Sequence, residues 1–146
     1  MRMNSDSART EEVVAALRAG GYRVTPQRLA VHEAVRDLGQ HVSAGEVLGA
    51  VSGRLPNVSL PTVYAALEAL EDAGLVRRVA AGRGAALYDA QSAEHHHLVC
   101  RRCGSVEDLH ATVELDMILE MGARRGFAPD DAEVVVRGLC ERCQER

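Results

Sequence analysis

The chain has no lysine among its 146 residues, so all of its basic side chains apart from six histidines are arginines. Arginine favours bidentate phosphate contacts, but the complete absence of lysine follows more simply from codon bias than from a binding role. No apolar run approaches the ~20 residues of a membrane span. The opening Met1-Arg2-Met3-Asn4-Ser5-Asp6 lacks the apolar core of a secretory signal. These absences point to a cytoplasmic protein that does not enter a membrane. There is no internal repeat and no low-complexity tract. A chain this short buries one good core, or two small ones if something clamps them together, and the second arrangement is expected here.

The net charge of -4 looks unsuited to nucleic acid until it is divided along the chain. Residues 1–89 hold ten Arg and ten Asp plus Glu, whereas residues 90–146 hold seven and eleven. The acidity therefore belongs to the C-terminal part, and the N-terminal part is neutral.

The N-terminal pattern is helical. After a polar, frayed start, Val13, Val14 and Leu17 line one face of a helix that ends at Gly20-Gly21. Thr25 caps a second helix with Pro26 at its first position, and Leu29, Val31, Ala34 and Val35 supply its buried face. Ser43 and Glu46 form a capping-box pattern for a third helix carrying Val47, Leu48 and Val51, with Gly53 near its end. His41 lies just before it. Ser59 is a candidate cap for a fourth helix, with Pro61 in its first turn, Val63, Leu67 and Leu70 on one face, and Gly74 as its stop. Two short strands, Leu75–Val79 and Ala85–Tyr88, flank a Gly82-Arg83-Gly84 turn. Helices followed by a two-stranded ribbon are the order of a winged helix-turn-helix.

Residues 1–88 are thus expected to form a winged-helix domain and 89–94 a polar linker. Residues 95–146 would form a small α/β domain, making the whole chain α+β. In the last part, strands are expected at His97–Cys100, Val106–Leu109 and about Glu133–Leu139, with a helix over about Val113–Arg125. Such a unit is short for an independent core and needs a metal, a partner chain, or both.

Two groups of ligand-type residues meet near residue 100. Cys100-x-x-Cys103 and Cys140-x-x-Cys143 supply four soft donors, and in a reducing compartment these read as thiolate ligands of a closed tetrahedral zinc site. The competing reading is buried or redox-active thiols. The long separation of the two pairs makes the site a clamp across a domain, and ligation energy then becomes folding energy. His95 and His97 alternate, so in a strand both imidazoles project to one side and can reach one ion. His96 and His110 have no assigned role and read as supporting or exposed side chains. Taken alone, His41 is a solvated loop histidine and Asp108 a surface charge.

The chain resembles the ferric uptake regulator family of metal-dependent bacterial repressors. The resemblance lies in Gly21-Tyr22-Arg23-Val24-Thr25-Pro26-Gln27-Arg28, Ser59-x-x-Thr62-Val63-Tyr64, Gly74-Leu75-Val76, His95-His96-His97-Leu98-Val99-Cys100-x-x-Cys103-Gly104 and Cys140-x-x-Cys143. It implies a homodimer whose C-terminal domain dimerises and which binds double-stranded DNA at a palindromic operator. It also implies a regulatory Fe(II) or Mn(II) held by His41, Asp89, His95, His97 and Asp108, beside structural zinc at the four cysteines. That donor set discriminates poorly among divalent metals by affinity alone. Ala65 departs from the family, many of whose members carry Arg after the Val-Tyr pair, so a shared operator does not follow.

The resemblance further implies that the fourth helix enters the major groove, with Ser59, Thr62 and Tyr64 near base edges or phosphates. Tyr22, Arg23 and Arg28 would flank it, and Arg77, Arg78 and Arg83 on the wing would reach the backbone. Glu68, Glu71 and Asp72 confine such contacts to the helix's first half. Asp at position 108, and the stretch from Gly126 to Val135, resemble peroxide-responsive members. Fe(II) in such a protein reacts with hydrogen peroxide, and His41 and His95 are the candidates for oxidation.

The alternatives are an iron-availability repressor and, lower in rank because Asp89 stands where zinc sensors tend to have cysteine, a zinc sensor. An enzyme is not expected: a zinc hydrolase built on His95, His97 and Asp108 lacks a general base and a substrate pocket in the sequence. A zinc-ribbon module without a regulatory ion would bind one metal per chain.

Overall fold

The computed structural model describes residues 3–39, 41–79, 86–90 and 95–146. They fall into two units, one ending at Ala90 and the other beginning at His95. The expected turn at Gly82-Arg83-Gly84, including Arg83, and most of the expected linker lie outside the described residues.

Two of the helix starts in the N-terminal unit follow the capping chemistry. Helix α1 (Met3–Ala19) is already helical at Met3, earlier than its polar start suggests, and it buries Val13 and Leu17. Before α2 (Pro26–Leu38), Thr25 is extended and its side chain accepts the Arg28 N–H at 3.2 Å. The helix then buries Val31, Ala34 and Val35. At α3 (Ala44–Val51) both halves of the capping box form: Ser43 Oγ accepts the Glu46 N–H at 3.2 Å, and the Glu46 carboxylate accepts the Ser43 N–H at 2.8 Å. Helix α4 (Leu60–Asp72) buries Val63, Ala66, Leu67, Ala69 and Leu70, and Gly74 ends it at a φ of 74° that favours glycine.

A small sheet completes this unit. Strand β1 (Val42–Ser43) pairs with β3 (Leu87–Asp89), which also pairs with β2 (Arg77–Val79), giving the order β1-β3-β2. Both pairings are antiparallel, with Val42 opposite Tyr88 and Arg77 opposite Asp89. Asp89 therefore closes a strand and does not open the linker. The core gathers Leu17, Val31, Val35, Val47, Val51, Val63, Leu67 and Leu70 beneath Tyr88. Full burial of such aliphatic side chains stabilises the fold by roughly 1.5–3 kcal/mol each.

The C-terminal unit is a three-stranded sheet in the order β5-β4-β6 with two helices. Strand β4 (His96–Cys100) runs antiparallel to β5 (Val106–Leu109) and parallel to β6 (Val135–Gly138). Helix α5 (Asp116–Arg124) lies between β5 and β6 in sequence, is shorter than expected and buries no residue. Helix α6 (Glu141–Gln144) closes the chain. Among the described residues of this unit, the buried hydrophobic side chains are Val99, Cys100 and Cys143. That is too small a core to hold the unit without a further clamp.

Candidate metal centres and nucleic-acid surface

The four cysteines converge within the C-terminal unit. Cys100 ends β4, Cys103 lies in the turn before β5, Cys140 is the N-cap residue of α6, and Cys143 sits in that helix. Gly104 makes the turn possible with a φ of 75°, and its N–H donates to the Cys100 carbonyl at 2.9 Å. All four sulfurs lie within 4.8 Å of one another. Ligands about 2.3 Å from a tetrahedral centre are separated by roughly 3.8 Å, and the Cys103 and Cys140 sulfurs are 3.7 Å apart. The donor set and its spacing fit zinc.

The sulfurs differ electrostatically. Backbone N–H groups, first that of Cys103 and then that of Cys140, bring the Cys100 thiol down to about 5. The Ser105 hydroxyl lowers Cys103. Hydrogen bonding to Cys140, burial and the neighbouring sulfurs push Cys143 up to about 12. The cluster thus holds negative charge readily at one corner and resists the last ionisation, which a bound cation reverses.

The hard donors form one group in each unit. In the C-terminal unit, His95 Nε2 lies 3.2 Å from Asp108 Oδ1 and His97 Nε2 lies 3.6 Å from the same oxygen. The two imidazoles meet edge-on with centroids 4.8 Å apart, and both are buried. The antiparallel register explains the convergence, because His97 is directly opposite Asp108. In the N-terminal unit, the pairing of Val42 with Tyr88, carried one residue further, sets His41 across from Asp89. One ligand atom of each lies within 4.8 Å of the other. His41 has a φ of 58°, uncommon for a residue with a side chain. Imidazole nitrogens with carboxylate oxygens suit Fe(II), Mn(II) or Zn(II), so both groups fit the expected regulatory ion.

Of the expected DNA-facing residues, Ser59, Thr62 and Tyr64 lie at the start of α4, whereas Tyr22, Arg28 and Arg78 gather at its far end, beside Asp72 and Glu71. Tyr64 and Ser59 are exposed and Thr62 is half-buried. The Ser59 hydroxyl makes no cap hydrogen bond and instead lies 3.0 Å from the Thr62 hydroxyl. Tyr22 donates to the Asp72 carboxylate, which raises its pKa above the ordinary 10.0, and the Arg28 guanidinium stacks 5.3 Å from its ring centroid. Arg28 also donates to the Arg23 carbonyl. On the ribbon, Arg78 lies 3.7 Å from Glu71 and 3.2 Å from the Tyr88 hydroxyl, while Arg77 pairs across the sheet with Asp89.

The model of the ferric uptake regulator family matches residues 19–137, which span both units. The chain belongs to the ferric uptake regulator family. It is therefore a metal-responsive transcriptional regulator, in a family of regulators and not of enzymes. The transcriptional regulator FurA of Mycobacterium tuberculosis is 41% identical over 128 residues, covering 87% of this chain and 86% of that protein. The peroxide-responsive repressor PerR of Staphylococcus epidermidis is 31% identical over 136 residues, covering 92% and 90%. Among solved structures, a zinc uptake regulator complexed with zinc and DNA is 27% identical with a TM-score of 0.66, covering 99% of this chain and 97% of that one.

Two features of this ferric uptake regulator family member escape a reading of the sequence. His96 is buried, and its Nδ1 accepts the Val134 N–H at 3.1 Å, whereas His110 is exposed. Glu133, which had no role beyond starting a strand, puts Oε2 3.4 Å from His97 Nδ1. Both arise from the parallel pairing of β6 on β4 and leave no local signal. No helix among the described residues is long and apolar enough to cross a membrane.

Proposed function

We propose that the chain is a homodimeric, cytoplasmic repressor that senses peroxide. In this reading zinc at Cys100, Cys103, Cys140 and Cys143 holds the C-terminal unit together. A regulatory Fe(II) or Mn(II) is shared by His41 and Asp89 of the winged-helix domain and by His95, His97 and Asp108 of the C-terminal domain. The observation that carries the reading is the convergence of two buried imidazoles on one Asp108 oxygen, with a matching histidine and carboxylate facing each other in the other unit. The reading keeps the limits 1–88, 89–94 and 95–146 drawn from the sequence, with the winged-helix domain carried one residue further, to Asp89 at the end of β3.

Sharing one ion between domains fixes the angle of the winged helices, and in a dimer that sets their spacing on a palindromic operator. Metal and DNA binding are then reciprocally coupled. Ser59 just before α4 and Thr62 and Tyr64 in its first turns face the major groove, while Tyr22, Arg23, Arg28, Arg77 and Arg78 approach the phosphates. The solved zinc uptake regulator with DNA supports a DNA ligand, and the relative named as a peroxide-responsive repressor supports the signal.

Fe(II) held by these five residues would supply the catalysis for a reaction in which hydrogen peroxide takes two electrons from the imidazole of His41 or His95: one oxygen is inserted at a ring C–H, the other leaves as water, and the iron is unchanged overall. The modified imidazole is a poorer ligand, and the DNA is released. The second reading is an iron-availability repressor, in which occupancy alone follows Fe(II). It is favoured by the same donor set, which requires no oxidation to respond.

The test uses anaerobically purified protein, with Fe(II) or Mn(II), bound to a promoter fragment from its own genomic neighbourhood. Hydrogen peroxide is added, DNA release is followed, and peptides carrying His41 and His95 are analysed by mass spectrometry. Release with iron but not manganese, with one added oxygen at either histidine, is expected. Retained DNA and unmodified histidines with both metals would leave the iron-availability reading.

A further inference from the structure

We infer that Glu133 is a positioning residue that holds His97 in the tautomer and orientation required of a ligand at the regulatory site. The inference rests on the reading of His97 as a metal ligand and adds a residue to it. The His97 side chain is fully enclosed, and its two ring nitrogens face different carboxylates. Nε2 lies 3.6 Å from Asp108 Oδ1, on the side where His95 also points, and Nδ1 lies 3.4 Å from Glu133 Oε2. A neutral imidazole carries one N–H and an ionised carboxylate only accepts. If the proton sits on Nδ1, facing Glu133, the Nε2 lone pair faces the ligand cluster. Free histidine favours the opposite form, with the proton on Nε2, so the useful tautomer needs a partner to select it.

The backbone keeps Glu133 in place. Residue 133 lies two positions before the parallel partner of His97, Val135. The His97 N–H donates to the Val134 carbonyl at 3.1 Å, and the Val134 N–H donates to His96 Nδ1 at 3.1 Å. One short segment thereby meets neighbouring histidines in opposite senses: His96 accepts at Nδ1 from a backbone donor, whereas His97 Nδ1 faces a side-chain acceptor, the Glu133 carboxylate. Outer carboxylates of this kind fix ligand histidines, and their removal typically weakens metal binding about 10–100-fold.

The test uses the full-length zinc-loaded protein with Mn(II) as probe, and the variants Glu133→Ala, Glu133→Gln and His97→Ala. Glu133→Ala should weaken Mn(II) binding roughly 10–100-fold. Glu133→Gln should retain most of the affinity, because its amide oxygen still accepts from Nδ1–H. Long-range proton–nitrogen NMR before Mn(II) is added should show His97 protonated at Nδ1 in the parent and shifted toward Nε2–H in Glu133→Ala, a change that loss of packing alone would not produce. Parental tautomer and Mn(II) affinity in Glu133→Ala, with affinity lost in His97→Ala, would overturn the role of Glu133 and leave the site intact. Parental Mn(II) affinity in His97→Ala would overturn the site reading itself.

Discussion

His32 is half-buried on α2, where burial and then the charge of Arg36 hold its imidazole below the ordinary value of 6.5. A group whose folded pKa is lowered stays neutral in the native state while the unfolded chain already takes up a proton. Its share of stability is therefore complete above pH 6.5 and falls as the pH drops from there toward the folded pKa. The variant His32→Gln, which cannot titrate, should lose less stability than the parent between the neutral and acid sides of that value. Urea denaturation of both proteins, zinc-loaded at each pH, reads the difference, since metal release affects them alike. Parallel pH profiles would show that His32 is protonated as readily in the native state as in the unfolded chain.

At the scale of elements, capping separates helices that look alike in sequence. Ser43 and Ser59 both precede apolar helices, but only Ser43 makes the reciprocal bonds of a capping box. Ser43→Ala should cost about 1 kcal/mol of unfolding free energy, and Ser59→Ala much less, since its hydroxyl faces Thr62. Equal losses in urea denaturation would contradict this assignment. The same contrast explains what the sequence makes legible. Helices α2, α3 and α4 announce themselves through caps, periodicity and stops, and the Cys pairs through spacing. Strand β1 does not, because two residues carry no period and become a strand only by pairing with β3. Asp89 reads as linker for the same reason, its strand character coming from Arg77 across the sheet. In the site, alternation makes His95 and His97 visible, whereas His41, Asp89 and Asp108 stand out only through resemblance to a family. Glu133 is hidden because its approach to His97 depends on the crossover that brings β6 beside β4.

At the scale of the whole molecule, the C-terminal unit has more apolar surface than its own core accounts for. Met117, Ile118 and Met121 form a stripe on α5 and are 72%, 57% and 57% exposed, and Phe127 just beyond the helix is 75% exposed. A patch of this kind marks an interaction surface, and an isologous contact with a second copy would cover it twice over. Burying the two methionines contributes about 1.5–3 kcal/mol for each side chain, and a symmetric contact doubles their number. Met117→Glu with Met121→Glu should then weaken dimerisation by more than about 100-fold, since tenfold corresponds to about 1.4 kcal/mol. Sedimentation at micromolar concentration is expected to show a dimer for the parent and a monomer for the double variant. Zinc analysis should show the cysteine site still loaded, because its ligands lie in β4, the turn after it, the cap of α6 and α6 itself, none of them on α5. Operator affinity should fall along with the dimer, as a single winged helix reads only half of a palindrome. A double variant that stays dimeric would move the interface off α5 and leave its apolar stripe without an assigned partner.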